Sequence, residues 1–523
     1  MRTLWAGIAM VALAGAQVPF ERIVRASSEP GSWLTYSGSY DAQRHSRLDQ
    51  IHRGNVNKLK LAWMYQMRTR HKVETTPLVM DGVMYISEPP SNVTALDLKT
   101  GRPIWKYERK TQPVPVCCGE VNRGVAALGD ALYLGTIDAH LVSLDRATGR
   151  VRWDVEVADW KGAYSITLAP LAIRDKIVVG IAGAEYGVRG FLDAYDAATG
   201  KRAWRFWTAP GPGEAGNQTW AGTSWKTGGA STWMTGSYDP EADLVYWGTG
   251  NPGPDYIGDG RAGDNLYSDC VVAVEGATGK LKWHFQFVPH DVNDLDATEI
   301  PVLLDGVYEG KPRKLMLFAN RNGFYYVLDR ITGEFLHARQ FAEQNWTLGL
   351  DARGRPKPNP KTIPSVEGAL VAPDDDGAAN WHSPSYSPQT GLFYQNVREK
   401  KAIYYRTEAK FEVGKYFLGA AKQVIPNEPG YGALRAWDAI SGERRWEFRL
   451  HSAPWSGILS TAGGLVFSAT MEGDFFALDA RSGGLLWRIQ TGGAVWAAPI
   501  TYLSEGRQQV AIAAGGAILV FEQ

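Results

Sequence analysis

The 523-residue chain carries 55 basic and 55 acidic residues, so no charge excess steers it toward nucleic acid or an anionic membrane surface. Divided naively, that length suggests three or four domains, but large all-β folds break the length rule. In chain order, the first element is a signal peptide over residues 1–16. Arg2 gives a minimal positive end, Leu4 to Leu13 an apolar run, and Ala14-Gly15-Ala16 a small-residue cleavage site. The run is too short to span a bilayer comfortably, and no later stretch approaches a span. The expected mature product is therefore an exported, soluble chain of residues 17–523 with one catalytic domain.

The repeats come next. TALDLKTGRPIW, VSLDRATGRVRW, DAYDAATGKRAW, VAVEGATGKLKW, YVLDRITGEFLH, RAWDAISGERRW and FALDARSGGLLW share an acidic residue, a Thr/Ser-Gly pair and an aromatic four residues after the Gly. Each reads as a strand end, a hairpin turn in which Asp caps N–H groups and Gly takes positive φ, and a return strand. The seven closing positions are 105, 153, 204, 283, 337, 446 and 487, with His337 replacing Trp and Glu275 replacing Asp. Trp63, 42 residues ahead of Trp105, makes an eighth. The closing segment VAIAAGGAILVFEQ is strand-like, so both ends of the chain are predicted to share a sheet and shut a ring. The fold expected is all-β, an eight-bladed β-propeller stapled by its tryptophans. The 109-residue gap from His337 to Trp446 holds either a degenerate blade or one long insertion, and its Pro-rich RGRPKPNPKTIP and acidic APDDDG favour an insertion.

Three cysteines occur, Cys117, Cys118 and Cys270. For the adjacent pair two readings stand: reduced, buried thiols, or a bridge closing a tight ring, toward which an oxidising compartment moves the balance. Cys270 is expected in the core. No CxxCH is present, so no haem is expected on this chain.

From about Trp33 onward these Trp-bearing repeats resemble the PQQ-dependent (quinoprotein) alcohol dehydrogenases, including methanol dehydrogenases. The resemblance implies a vicinal Cys117–Cys118 disulfide over one face of pyrroloquinoline quinone (PQQ). It places Arg123 (CCGEVNRG) on a PQQ carboxylate and Glu74 (VETTPLV) and Thr167 (ITLAP) against the cofactor. In GGASTWMTGSYDP it makes Trp233 the floor beneath the ring and Ser231 a hydroxyl contact. Asn380-Trp381 (GAANWHSP) is similar to a further contacting pair, and Trp455 is placed at the wall of the substrate cavity. A flat polyanion needs an aromatic floor, a ceiling and cationic clamps, which this set supplies.

For the metal, the AGAEYGVRG motif (Gly183, Ala184, Glu185) and the WGTGNPGPD motif (Asn251) match the family's ligand-bearing segments, with Gly183 and Ala184 beside the cofactor. Ala182 departs from the family, which often has Ser there. PHDVNDLDATEIP supplies Asp294, matching the catalytic aspartate, and Asp296, which in the family marks enzymes that use lanthanides. Glu185, Asn251, Asp294 and Asp296 are the expected metal ligands, for a lanthanide ion with Ca²⁺ as the alternative. Arg321 (FANRNGFYYVLDR) matches the cation near the quinone carbonyl. Asp294 is expected to act as base, held ionised by the neighbouring cation.

The resemblance thus implies oxidation of a small alcohol to an aldehyde in the periplasm, with electrons passed to a cytochrome c, and allows a homodimer. No Gly-rich dinucleotide fingerprint appears, which argues against NAD. Two other readings remain at this level. One is a quinoprotein acting on sugars or aldehydes. The other is a non-catalytic propeller scaffold of the outer-membrane assembly type, which needs the repeats but not the site residues.

Overall fold

The computed structural model describes residues 17–523, so the expected signal peptide lies outside the described residues. Among the described residues, eight sheets with a four-stranded antiparallel core form the ring; six are built on successive strands, the sixth blade is interrupted by an insertion, and the eighth draws on both ends of the chain. Blades 1 to 7 span 78–107, 126–156, 171–207, 237–286, 302–340, 385–450 and 459–490, and the last strand of each carries one of the predicted anchor residues. Blade 8 joins the chain's two ends. Lys60–Gln66 pairs antiparallel with Ala517–Glu522, which continues into Arg507–Ala514 and Ile500–Ser504. Closing a ring in this way removes sheet edges that would otherwise invite aggregation.

The repeat has a double logic. In the turn, Asp97 Oδ1 accepts from the Thr100 N–H, and Asp145, Asp196 and Asp479 do the same for their turns. The return-strand tryptophan then reaches the next blade. Trp105, Trp153, Trp204, Trp283 and Trp446 donate Nε1–H to the carbonyls of Arg146, Ala197, Gly276, Arg330 and Ala480 at 3.0–3.2 Å. Each acceptor directly follows the next blade's acidic turn residue. His337 makes the equivalent contact one residue further on, to Ile440. The repeat glycine serves the turn and also the staple: a Cβ at Gly101, Gly149 or Gly279 would fall 2.4, 2.5 or 2.5 Å from Trp63, Trp105 or Trp204.

Two changes separate these roles. Gly129→Ala (φ +64°, open space around it) should cost about 1 kcal/mol for backbone strain alone. Gly149→Ala (φ +71°) adds overpacking against Trp105 and should cost about 3 kcal/mol in all. Equal denaturation midpoints for the two variants would show that the ring gives way freely.

The gap between His337 and Trp446 is an insertion, not a missed blade. It holds a two-stranded sheet, Thr347–Leu350 with Pro356–Pro358, and a three-stranded one, Ala369–Val371, Ala402–Arg406 and Ala420–Val424. The segment 400–430 is a strap looped out between the second and third strands of blade 6. The segment before blade 8 also does more than its sequence suggests. Backbone bonds tie Val18 to Gly129, Trp33 to Val79, Tyr40 to Tyr238, Asp41 to Leu303, Gln43 to Tyr386 and Arg44 to Ser460. With Leu503 N–H of blade 8 donating to the Gly31 carbonyl as well, it stitches seven blades together, and the buried Arg44 guanidinium finishes the seam on the carbonyls of Tyr36, Ile458 and Pro499. Among the described residues, no helix is long and apolar enough to cross a membrane.

Candidate active site

Loops from different blades carry the chemistry, and small residues let them meet. Gly183, at φ +119° with Ala163 O only 2.3 Å from a notional Cβ, opens the tight turn Ala184–Tyr186 that presents Glu185. Gly250 precedes Asn251 where a Cβ would fall 2.4 Å from Asp296 Oδ1 and 2.9 Å from Ser231 Oγ. Asn251 N–H donates to Asp296 Oδ1 at 2.6 Å, and Gly250 N–H donates to the Ser231 carbonyl at 2.7 Å. Residues distant in sequence thus converge through backbone contacts that no larger side chain permits.

The centre is anionic. Asp296 Oδ2 accepts from Trp233 Nε1 and from Arg321 Nη2, both at 2.9 Å. Arg321 also lies 3.3 Å from Asp294 Oδ1. The Asp294 side chain is 20% exposed against 7% for Asp296, so Asp294 is the carboxylate open to an incoming molecule. Burial pushes Glu185 up to about 7, with Asp296 adding to the shift. Burial also raises Asp294 well above the usual carboxylate range, Asp296, Asp255 and Asp375 adding to it while Arg321 pulls the other way. The expectation that the cation holds Asp294 ionised is therefore corrected: burial, with the surrounding carboxylates adding to it, outweighs one guanidinium. A bound cation reverses that balance, because it becomes the largest local charge.

Beside this centre lies a cationic, aromatic pocket. Arg123 bridges Glu74 at 2.8 Å and donates to Thr167 Oγ1 at 2.9 Å. Its guanidinium sits 5.1 Å from the Trp233 ring and 4.9 Å from the Trp381 ring. Trp381 stacks on Trp455 and Trp455 on Trp496, with Arg398 over Trp455 and Lys72 over Trp496. Asn380 Oδ1 accepts from the Trp381 N–H, and its amide donates to the Asp376 carbonyl. Cys117 and Cys118 are disulfide-bonded and exposed, with Cys117 Sγ 3.0 Å from Glu185 Oε1. A bridged sulfur has no proton to donate, so this contact is a hydrogen bond only when Glu185 is the acid. Cys270 is free and buried, as expected.

The predicted residues therefore fall into one site. Trp233 joins its halves, with its ring near Arg123 and its Nε1 on Asp296. The set suits a flat polyanion and a hard cation. Arg123 Nε, Arg321 Nε and Asn251 Nδ2 are buried with no hydrogen-bond partner, a costly state that a ligand would relieve. Sequence reasoning missed Asp255, Glu299, Asp375, Arg398 and Lys72. Asp255 had a signal, standing four residues after Asn251 in the same motif. Glu299, which burial lifts to about 8, had none beyond lying near Asp296.

The family described as glucose/ethanol/alcohol dehydrogenase, beta-propeller domain, of PQQ proteins matches residues 33–345. Residues 430–523 match a second family, outer membrane protein assembly factor BamB. Quinohemoprotein alcohol dehydrogenase ADH IIB of Pseudomonas putida is 41% identical over 95% of this chain and 75% of its own length. The lanthanide-dependent methanol dehydrogenase of Methylacidiphilum fumariolicum is 36% identical over 98% and 89% respectively. A solved europium-containing methanol dehydrogenase superposes with a TM-score of 0.91 at 32% identity, over 96% of this chain and 100% of that one. The BamB match covers only blade 7 with parts of blades 6 and 8, whereas the alcohol dehydrogenase ADH IIB matches over 95% of this chain. With that coverage and identity, and with its aromatic, cationic and carboxylate groups gathered in one site, the chain belongs to the PQQ-dependent quinoprotein alcohol dehydrogenases.

Proposed function

We propose that this PQQ-dependent alcohol dehydrogenase works with a lanthanide ion held by Glu185, Asn251, Asp294 and Asp296, and that Asp294 is its base. The observation that carries the reading is the charge balance: Glu185, Asp294, Asp296 and Glu299 share one guanidinium, Arg321, and Asp255 beside them has Arg261 as its countercharge. Crowding that many anions is repulsive, and a trivalent ion offsets the repulsion better than a divalent one.

The residues that would hold PQQ are Trp233 and the Cys117–Cys118 bridge on its flat surfaces, with Arg123, Glu74, Thr167, Ser231, Asn380 and Trp381 around them and the Gly183-Ala184 turn beside them. When bound, PQQ supplies a two-electron acceptor and the ion a Lewis acid. The rest falls to the chain. Asp294, the open carboxylate, accepts the proton of the alcohol hydroxyl at its Oδ atoms. Arg321, 3.3 Å away, orients that carboxylate and stabilises the negative charge that develops beside it. Trp381, Trp455 and Trp496 keep water from the pocket's wall, which strengthens each of these electrostatic contacts.

The substrate class is a small alcohol, oxidised to its aldehyde. The proposed acceptor is a soluble cytochrome c of the periplasm, a compartment in which the Cys117–Cys118 bridge persists. Reconstitution with PQQ and either La³⁺ or Ca²⁺ tests the metal. The wild type is expected to turn over with La³⁺ and only weakly with Ca²⁺, and Asp296→Ala to lose most of the La³⁺ activity. Equal activity with the two ions, or an undiminished Asp296→Ala, rejects the lanthanide reading.

A further inference from the structure

The NPGPD segment brings a further carboxylate to the same centre. Asp255 is 1% exposed, and its Oδ1 has no hydrogen-bond partner. Asn251, four residues earlier, is 3% exposed with its Nδ2 likewise unpartnered. The Asp255 carboxylate lies beside the Asn251 amide, outside good hydrogen-bond geometry, and within electrostatic reach of Glu185, Asp296 and Asp294. Its nearest countercharge is Arg261, whose guanidinium is engaged elsewhere, by Asn265 Oδ1 and the carbonyls of Pro254 and Asp291.

The backbone around Asp255 is pinned. Gly253 N–H donates to Gly228 O at 3.1 Å, and there is no room for a side chain at Gly253, where a Cβ would fall 2.6 Å from Thr227 O. The strap of blade 6 then fastens the two acidic segments side by side. Phe417 N–H donates to the Glu185 carbonyl at 2.7 Å, and the Leu418 carbonyl accepts from the Tyr256 N–H at 2.9 Å. Consecutive strap residues thus hold Glu185 and the residue after Asp255. A buried carboxylate oxygen that lacks a donor, fixed among three other carboxylates, is costly unless a cation compensates it.

We infer that Asp255 is a further carboxylate of the metal centre, facing the ion together with Glu185, Asn251, Asp294 and Asp296 and raising the site's preference for a trivalent over a divalent cation. The inference rests on the lanthanide reading above and adds a residue to it. It makes Asp255 stabilising only when the ion is bound, and that gives a test independent of turnover.

Asp255→Asn keeps the side chain's volume and removes its charge. Two measurements apply to the PQQ-reconstituted protein: calorimetric titration with LaCl₃ and with CaCl₂, and melting temperature with and without La³⁺. The variant is expected to bind La³⁺ about tenfold or more weakly, with a smaller change for Ca²⁺. Without metal its melting temperature should stay near the wild-type value, because the amide matches the carboxyl in volume, and the increment produced by La³⁺ should shrink. A residue that merely supports the loop instead lowers the metal-free melting temperature and leaves the La³⁺ increment unchanged. La³⁺ affinity equal to wild type, or a lower metal-free melting temperature with an undiminished La³⁺ increment, overturns the role of Asp255. If the wild type itself binds La³⁺ and Ca²⁺ equally, the lanthanide reading has failed instead, and the two failures are told apart by which protein shows them.

Discussion

Asp294→Asn is expected to lower kcat by about 10³-fold while leaving PQQ bound. Asparagine keeps the volume and one oxygen for the ion, but its amide takes up no proton at working pH. The structure makes Asp294 the carboxylate to change: it is the more open of the Arg321-paired aspartates, whereas Asp296 is engaged by Trp233, Asn251 and Arg321. Because Arg321 Nη1 also donates to the Asp294 carbonyl at 3.1 Å, the guanidinium keeps an anchor in the variant and the site should not collapse. PQQ content read by absorbance, together with steady-state kcat, checks this. A variant that holds full PQQ and turns over within tenfold of wild type would mean that another group takes the proton.

The second large effect is on retention of the ion and of PQQ. Replacing both Glu185 and Asn251 by alanine removes oxygen donors presented by two different blades. Metal affinity should fall about 100-fold or more, and PQQ should be lost on dialysis. Elemental analysis and PQQ absorbance after gel filtration give the readout. Equal PQQ affinity in the double variant and the wild type would place the cofactor elsewhere. Folding should survive, because Glu185 presents its carbonyl, not its side chain, to Phe417, and Asn251 contacts Asp296 through its main chain.

Much of this protein could be read along the chain because its information is local. An acidic residue, a Thr/Ser-Gly pair and a Trp at fixed spacing encode a turn, its cap and its return strand without reference to anything distant. Seven such repeats, with Trp63 as an eighth anchor, therefore give eight blades. The residues assigned to the site could be named for a related reason: each sits in a short motif that a single loop carries, as Cys117, Cys118 and Arg123 do, or Asp294 and Asp296.

What the chain order could not disclose are contacts between loops. That the repeat glycine must receive the preceding blade's indole, that residues 18–46 stitch seven blades, and that the 400–430 strap binds Glu185 to the Asp255 segment all depend on partners separated by tens to hundreds of residues. The ionisation of Asp294 belongs here too. Next to Arg321 in isolation it reads as an ionised base, and only the assembled site adds the burial and the surrounding carboxylates that raise its pKa. Spacing in sequence fixes hydrogen bonds across a turn of a few residues. Charge repulsion and desolvation depend on every group within several ångströms, and only the closed ring brings those groups together.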